Sequence, residues 1–269
     1  MSDFKIGIDY GGTKIEGILI DSNGKEILRK RSTYEKNYES GINTVKSLVS
    51  EFDQFTDQQN SVGVCIPGFS SYETGLVNNA NCIWINDKPF HKDLEKSLNR
   101  EIRIMNDANC FALSEAIDGS GANYKSVWGV IIGSGFGGSF VYEKKVIEGV
   151  NQIAGDWGHQ PLPYPTEEEI NSNVQCNVGN CKRPLCAEQF ISGIGFTKLF
   201  NEKYGTSLRT REIVALEANG DERAKKEFEL YEDRFARLIS VMIGIVDPEV
   251  IVFGGCLLYT SPSPRDKHR

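Results

Sequence analysis

Two glycine-rich stretches of this sequence suit phosphate binding, and the first of them also carries a carboxylate. The first, DYGGTK, places Asp9, Gly11, Gly12 and Thr13 between two apolar strand patterns. Adjacent glycines let the backbone turn tightly and aim its N–H groups at an anion, and the threonine hydroxyl adds a donor. A carboxylate at a strand end can orient Mg²⁺ through water. An ordinary glycine-rich hairpin has the same composition, so this stretch alone leaves both interpretations open.

The second stretch, GSGFGG, follows the buried strand pattern VWGVII. A strand that ends in several glycines favours close approach of the backbone to a ligand, although the signal is weak by itself. A second glycine-rich turn is what a two-sided phosphate clamp would require. Its glycines are Gly133, Gly135, Gly137 and Gly138.

A possible general base lies in NDANCFALSE, where Asp107 stands at the change from a strand pattern to a helical one. Aspartate is a common helix N-cap, which is the alternative to a chemical role. In the chemical role its carboxylate takes the proton of a substrate hydroxyl. The neighbouring Asn106 is also a good cap, so one side chain can cap the helix while the other does chemistry.

One histidine and three cysteines form a possible zinc site. His159 lies in GDWGHQPLP, and Cys176, Cys181 and Cys186 follow at steps of five residues. Structural Zn²⁺ takes four sulfur or nitrogen ligands, and one histidine with three cysteines is a known set. Three free thiols beside an unrelated histidine are the alternative. The second ring nitrogen of His159 could also donate to a substrate hydroxyl.

The patterns around these stretches predict a mixed α/β protein. Strands are expected at 4–8, 15–20 and 250–253, with a hairpin turn at 21–25, and the apolar spacing predicts a helix over 38–55. From Glu188 onward the pattern is mostly helical, including a long amphipathic stretch that ends at Val246.

Strand patterns precede helical ones twice along the chain, which predicts two α/β lobes. The N-terminal lobe is expected to span 1–118 and the C-terminal lobe 119–255, with the boundary near 118–123. No low-complexity linker separates them, so the lobes are expected to meet across a cleft.

Composition argues against several classes of function. The chain has 269 residues, of which 39% are hydrophobic and 25% charged, and its net charge is −7. This charge argues against a nucleic-acid surface and favours small-molecule partners. No apolar run approaches membrane-spanning length, and the first residues pass directly into a strand pattern without a leader. With seven cysteines and no signal peptide, a cytoplasmic location is expected.

Together these stretches resemble the ROK family of sugar kinases, repressors and open reading frames, within the actin-like hexokinase superfamily. The matching motifs, in chain order, are DYGGTK, GVCIPG, NDANCFALSE, GSGFGG, AGDWGH, CAEQFISG and VFGG. The stretches NNANCIWINDKPFHKDL and AGDWGHQPLP look most like the fructokinase and mannokinase branch, and bacterial N-acetylglucosamine kinases are the next closest.

The resemblance implies a two-lobed actin-like, ribonuclease H-like ATPase fold with a cleft between the lobes. It also implies ATP- and Mg²⁺-dependent phosphorylation of a hexose at the 6-hydroxyl, with fructose expected first and mannose or glucose as further substrates. N-acetylglucosamine phosphorylation is the alternative. Members of the family are often dimers, so a homodimer is an expected assembly.

The resemblance further implies roles for individual residues, with Asp107 as the catalytic base. Those that align with sugar contacts, or with the loop flanking the sugar, are Gly68, Asn81, Asn106, Asp156, His159 and Glu188. Those that align with nucleotide contacts are Asp9, Gly11, Gly12, Thr13 and Lys14 in the first loop, Gly133, Gly135, Gly137 and Gly138 in the second, and Gly254 and Gly255. Those that match a structural zinc site are His159, Cys176, Cys181 and Cys186.

Two matched positions depart from the family pattern. Asp156 stands where the family usually has glutamate, so its carboxylate reaches one methylene less far towards the sugar. The first zinc cysteine of the family usually stands where this chain has Gly179, and Cys176 lies three residues earlier. A loop can absorb that offset, so the zinc hypothesis is retained.

A transcriptional regulator and a non-catalytic sugar-binding protein are the alternatives from other functional classes. Repressors of the family carry a helix-turn-helix domain before the first phosphate loop, whereas Asp9 comes almost at once here, and the acidic charge opposes DNA binding. The intact Asp107 and both glycine loops argue against a non-catalytic relic.

The end of the chain, CLLYTSPSPRDKHR, lacks the periodicity of the strand pattern VIVFGG before it. Its first eleven residues also read as an in-frame translation of the transposon-end and adapter DNA of sequencing libraries. We therefore expect residues 256–269 to be non-native, the natural chain to continue after Gly255, and this chain to be expressed poorly or to bind ATP weakly. Resequencing the locus from intact genomic DNA tests this expectation.

Overall fold

The structure is a computed structural model that describes residues 4–172, 174–176 and 181–255. The stretch 256–269, for which the sequence predicts a non-native origin, lies outside the described residues, as does Gly179. The described chain divides into two compact units. Unit 1 holds the residues up to Cys110 together with Gly149–Ile153, and unit 2 holds the rest.

Unit 1 contains seven strands and two complete helices among the residues described. The strands are β1 (Phe4–Tyr10), β2 (Lys14–Asp21), β3 (Glu26–Thr33), β4 (Ser61–Ile66), β5 (Phe69–Ser70), β6 (Val77–Asn78) and β7 (Ile102–Asn106). The helices are α1 (Tyr38–Thr56) and α2 (Phe90–Leu98), and a single turn of 3₁₀ helix covers Ile83–Ile85.

Five of these strands form one sheet in the order β3-β2-β1-β4-β7. The first three strands form an antiparallel meander, whereas β1, β4 and β7 run parallel. Helix α1 buries Val45, Val49 and Phe52 in the core of this unit, as their spacing on one helical face predicts. The predicted strands at 4–8 and 15–20 and the predicted helix over 38–55 are confirmed.

The division between the units falls inside helix α3 (Asp107–Ile117), which begins where β7 ends. The sequence placed the boundary a little later, at 118–123, just after this helix. The strands of unit 2 are β8 (Ser126–Ile132), β9 (Phe136–Tyr142), β10 (Lys145–Val146) and β11 (Val250–Gly254). Its further helices are α4 (Glu167–Asn171), α5 (Ala187–Ile191), α6 (Gly193–Tyr204), α7 (Thr210–Ala218) and α8 (Glu222–Val246).

The sheet of unit 2 has the order β10-β9-β8-β11, with β8 and β11 parallel. Its core joins Trp128 and Phe136 of the sheet to Phe190 of α5 and Leu238 of α8. The side chain of Asp221 caps α8 by accepting from two backbone N–H groups. The mixed α/β class and the helical character after Glu188 are confirmed. In the described part of the chain, every helix is too short or too polar to cross a membrane.

Candidate active site

The first glycine-rich stretch forms the turn between β1 and β2. The N–H of Gly11 donates to the carbonyl of Lys14 at 3.1 Å, which closes the turn. Asp9 and Tyr10 end β1 on opposite faces, so the carboxylate is exposed while the phenol ring is fully buried. Gly12 is also exposed. The turn therefore has the open backbone that an anion site needs.

Helix α3 resolves which of Asn106 and Asp107 is the cap. The carbonyl oxygen of the Asn106 side chain accepts from the N–H groups of Ala108 at 2.9 Å and Asn109 at 3.3 Å. Asn106 is therefore the N-cap. The Asp107 carboxylate lies 2.8 Å from the N–H of Ala108, which it shares with Asn106, and the residue is exposed. The helix therefore does not depend on Asp107 for its cap.

The same asparagine joins the end of β7 to the loop after β4. Its side-chain N–H₂ donates to the carbonyl of Gly68 at 2.9 Å. Gly68 has φ +87°, and a Cβ there would lie 2.5 Å from the carbonyl of Asn78, so glycine alone fits. Unit 1 therefore brings together the backbone around Gly68 and 78–80, next to Asn81, with Asn106 and Asp107.

Two side chains that the sequence did not single out support these loops. Asn86 accepts from the N–H of Ala80 at 2.9 Å and donates to its carbonyl at 3.0 Å, which fixes the backbone next to Asn81. The sulfur of Cys82 lies 3.6 Å from the position that a Cβ of Gly12 would take. The predicted sugar segment and the predicted phosphate loop are therefore neighbours within unit 1.

The carboxylates of unit 1 influence each other. Although Asp107 is exposed, the protein around it restricts its hydration and raises its pKa, and the charge of Asp9 adds to this. The N–H of Ala108 opposes the shift. The pKa of Asp9 is also raised, by desolvation and then by the charge of Glu16, while Lys14 opposes. A raised pKa makes a carboxylate a stronger base.

The second glycine-rich stretch is divided between a turn and a strand. The N–H of Gly133 donates to the carbonyl of Gly135 at 2.9 Å in the turn between β8 and β9. Gly137 and Gly138 lie within β9 and pair with Ile131 and Val130. The turn is therefore shorter than the run of glycines predicts.

Glu188 is attached to this turn. It is buried, and its Oε2 accepts from the N–H of Phe136 at 2.9 Å. Burial raises the pKa of Glu188 to about 7, with the Phe136 N–H opposing and the charge of Asp156 adding to the rise. Desolvation also raises the pKa of Asp156, and His159 opposes it. Unit 2 therefore groups three of the predicted sugar contacts near the second turn.

Gly254 and Gly255, at the end of β11, have a structural reason to be glycine. A Cβ on Gly254 would lie 2.4 Å from the ring of Phe111, and one on Gly255 would lie 2.3 Å from the carbonyl of Ile132. They let the strand end lie against α3 and β8. Their predicted contact with a nucleotide stays a prediction.

The four predicted zinc ligands converge in unit 2. The ligand atoms of His159, Cys176, Cys181 and Cys186 all lie within 4.8 Å of one another. Nδ1 of the histidine is 3.8 Å from the sulfur of Cys176 and 3.4 Å from that of Cys186. Tetrahedral Zn²⁺ bonds of about 2.0–2.3 Å would place such atoms roughly 3.5 Å apart, so this donor set fits zinc. Cys176 thus occupies the position expected of the first cysteine despite its sequence offset.

The sequence profile of the ROK family matches residues 5–263. The chain is 39% identical to the N-acetyl-D-glucosamine kinase of Citrobacter koseri, over 93% of this chain and 83% of that protein. It is 38% identical to the enzyme of the same name from Pasteurella multocida, over 94% of this chain and 84% of that protein.

Among solved structures, the ROK hexokinase from Thermus thermophilus matches with a TM-score of 0.83 and 22% identity, over 96% of this chain and 84% of that one. This similarity confirms the predicted actin-like ATPase fold. The expected place in the fructokinase branch gains no support, since these curated relatives phosphorylate another sugar by name. The chain belongs to the ROK family, as its motifs predicted, and the curated relatives described above are sugar kinases.

Proposed function

We propose that this chain transfers the terminal phosphate of ATP to a hydroxyl of a sugar, with N-acetyl-D-glucosamine as the first candidate. The observation that carries this proposal is the identity of 38–39% with enzymes of that name over 93–94% of the chain. Fructose, which the motifs favoured, becomes the second candidate because the relatives give it no support. The predicted 6-hydroxyl as acceptor is part of the proposal.

Asp107 is the proposed general base. As the sugar oxygen forms its bond to the terminal phosphorus, the bond from that phosphorus to the bridging oxygen breaks and ADP leaves with the electron pair. The proton of the sugar hydroxyl passes to the Asp107 carboxylate. The exposed position of Asp107 at the start of α3 and its raised pKa support this role.

The first phosphate loop is the proposed site of the ATP phosphates in unit 1. Gly12 supplies an exposed backbone N–H, Thr13 a hydroxyl and Lys14 a positive charge, while the N–H of Gly11 closes the turn. Mg²⁺ bound with ATP would neutralise phosphate charge, and Asp9 is the residue of this unit that would hold it through water. Gly68, Asn81 and Asn106 are the sugar contacts proposed for unit 1. The roles predicted for Asp156, His159 and Glu188, and for the glycines of unit 2, stay predictions.

A structural Zn²⁺ held by His159, Cys176, Cys181 and Cys186 is the second part of the proposal. These residues lie along 159–186, where the described residues form one short helix, α4, so the metal would hold this part of unit 2 together. It would take no part in the chemical step. Because Nδ1 of His159 faces the cysteine sulfurs, its Nε2 would be available to donate to a substrate hydroxyl.

The test is a coupled assay of ADP release with N-acetylglucosamine, fructose, mannose and glucose. We expect the highest kcat/KM with N-acetylglucosamine, and ³¹P and ¹³C spectra of the product should place the phosphate on the 6-hydroxyl. No turnover of any of the four sugars by folded protein would contradict the proposal. A higher kcat/KM for fructose would restore the fructokinase interpretation.

The Asp107→Asn variant tests the base. We expect kcat to fall by about 10²–10⁴-fold while sugar binding, measured by calorimetry, is retained. Asp118→Asn is the matched control, because Asp118 is exposed directly after the other end of the same helix. Full activity of Asp107→Asn would exclude this residue as the base.

A further inference from the structure

Tyr34 holds the first phosphate loop from the side of the core. It follows β3 directly, and its hydroxyl donates to the carbonyl of Gly11 at 2.8 Å. In a trans peptide the C=O and the next N–H point in opposite directions. A carbonyl of Gly11 directed at Tyr34 therefore turns the N–H of Gly12 away from Tyr34, on the exposed side of the loop.

The ring of Tyr34 is itself fixed by its neighbours. Its centroid lies 5.5 Å from that of Tyr10 and 6.0 Å from that of Trp84, both in tilted or edge-on contact. The indole N–H of Trp84 donates to the Tyr10 hydroxyl at 3.1 Å. Tyr10 is fully buried, and a Cβ on Gly41 would lie only 2.0 Å from the Tyr10 hydroxyl. Helix α1 therefore packs directly against Tyr10. Tyr34 therefore cannot shift without moving the buried ring of Tyr10 and the partly buried ring of Trp84.

This aromatic cluster of Tyr10, Tyr34 and Trp84 also supports the predicted sugar segment. Trp84 belongs to the 3₁₀ turn that follows Asn81 and Cys82. The sulfur of Cys82 in turn lies beside Gly12. Burial raises the pKa of Tyr34 well above its ordinary value, so its hydroxyl stays a donor at neutral pH.

We propose that Tyr34 is a positioning residue of the phosphate loop, whose hydroxyl fixes the Gly11–Gly12 peptide so that the N–H of Gly12 faces the nucleotide phosphates. This inference rests on the proposed kinase function. Without the Tyr34 hydroxyl, the Gly11–Gly12 peptide can rotate. Nucleotide binding must then also fix the orientation of the Gly12 N–H, which weakens nucleotide affinity. Sugar affinity does not depend on that peptide.

The test compares Tyr34→Phe with Tyr38→Phe. Tyr38 is the matched control because its hydroxyl donates to Asp93 at 2.7 Å and its ring packs on Phe90, 6.0 Å between centroids, in the same unit. For Tyr34→Phe we expect KM for ATP to rise about 3–10-fold and kcat to fall, with KM for the sugar within twofold of wild type. Tyr38→Phe should change neither KM, and both variants should have similar Tm.

Calorimetry with a non-hydrolysable ATP analogue separates this inference from the proposed function. Tyr34→Phe should weaken binding of the analogue about 3–10-fold even if wild type phosphorylates none of the sugars, in which case the proposed function alone fails. Unchanged affinity in Tyr34→Phe, or an equal loss in Tyr38→Phe, would overturn the positioning role. If wild type does not bind the analogue, both ideas fail.

Discussion

The Asn106 side chain donates to the carbonyl of Gly68 at 2.9 Å while its oxygen caps the helix that begins at Asp107. One residue thus fixes both the proposed base and the loop proposed to flank the sugar. Because the two hydrogen bonds use opposite ends of the amide, a substitution can remove one and keep the other.

Asn106→Asp should separate these roles. Aspartate caps helices about as well as asparagine, but its carboxylate has no N–H for Gly68 and repels the carbonyl there. We expect a loss of about 1–2 kcal/mol in the free energy of unfolding and a fall of about tenfold or more in kcat/KM for the sugar. Urea unfolding and the ADP-release assay measure the two effects.

Asn201→Asp is the control for that variant. Asn201 also donates through its amide, to the carbonyl of Leu208 at 2.8 Å, and accepts from the N–H of Leu208 at 2.9 Å, away from the proposed site residues. It should lose similar stability and keep its kcat/KM. Equal kinetic losses in the two variants would show that the Gly68 contact has no particular role.

The pH dependence of kcat/KM should report Asp107. Restricted hydration and the charge of Asp9 raise the pKa of this carboxyl above its ordinary value. Since the protonated form cannot accept the sugar proton, activity should fall as the pH drops through that raised pKa. The acid limb of a profile from pH 4 to 8 should therefore lie above the range of an ordinary aspartate, about 3.9. Circular dichroism checks folding at each pH, and an unperturbed acid limb would contradict this assignment.

Local patterns predicted the elements that carry the site, because those elements follow from signals within a few residues. The paired glycines Gly11 and Gly12 predicted the β1–β2 turn, and the regular spacing of apolar residues predicted helix α1. Helix α2 was not predicted, since it has nine residues and Pro89 precedes it without a side-chain cap. Its apolar face, which includes Leu94, is buried in the core of unit 1.

The site itself was predicted residue by residue but not contact by contact. The sequence named Asn106 and Asp107 without deciding which one caps α3, because the hydrogen bond to Gly68 that favours Asn106 spans 38 positions. Likewise, Tyr34 contacts Gly11 and Glu188 contacts Phe136, and in each pair the two residues are distant in sequence. Such pairings depend on how the strands are ordered, and no local periodicity encodes them.

Removal of zinc should destabilise unit 2. Purified protein should contain about one Zn²⁺ per chain, and a strong chelator or Cys181→Ser should lower its Tm, because four ligands lose their common partner. Elemental analysis and thermal unfolding measure this. Cys110→Ser, which changes a thiol outside the cluster, should keep its zinc. A metal-free protein whose Tm is insensitive to the chelator would exclude the site.

Glu169 should be a major source of stability in unit 2. It is buried and accepts from Arg234 at 2.7 Å, from Arg237 at 2.8 Å and from the N–H of Thr166 at 2.9 Å. Burial opposes its charge, yet the arginines lower its pKa to about 2. Glu169→Gln should cost about 3 kcal/mol in the free energy of unfolding at pH 7, because two arginines lose their counter-charge.

The pH dependence of this loss provides a further check. The Glu169 contribution is present above its unfolded pKa, near 4.5, and is lost as the pH falls towards 2. Wild type and Glu169→Gln should therefore differ less in urea unfolding at pH 3 than at pH 7. Glu212→Gln, which removes an exposed partner of Arg209, should leave the unfolding midpoint nearly unchanged. A difference that stays constant with pH would mean that the charge of Glu169 is not responsible.

Gly137 and Gly138 lie side by side in β9 and should respond oppositely to alanine. A Cβ on Gly138 would lie 2.7 Å from the carbonyl of Gly129 and 2.8 Å from the indole nitrogen of Trp157, whereas one on Gly137 meets nothing within 4 Å. Gly138→Ala should therefore lower the free energy of unfolding by about 1–3 kcal/mol. Gly137→Ala should be neutral or slightly stabilising, since alanine loses less backbone entropy on folding.

The kinetics of the same pair separate folding from nucleotide binding. If the phosphates of ATP approach the backbone at Gly137, as the sequence predicts, the added methyl group of Gly137→Ala should raise KM for ATP without lowering Tm. Gly138 is buried, so its substitution should affect activity only through the loss of folded protein. A normal KM for ATP in Gly137→Ala would mean that this glycine serves the strand and not the nucleotide, and the proposed second loop would then be limited to the turn at Gly133 and Gly135.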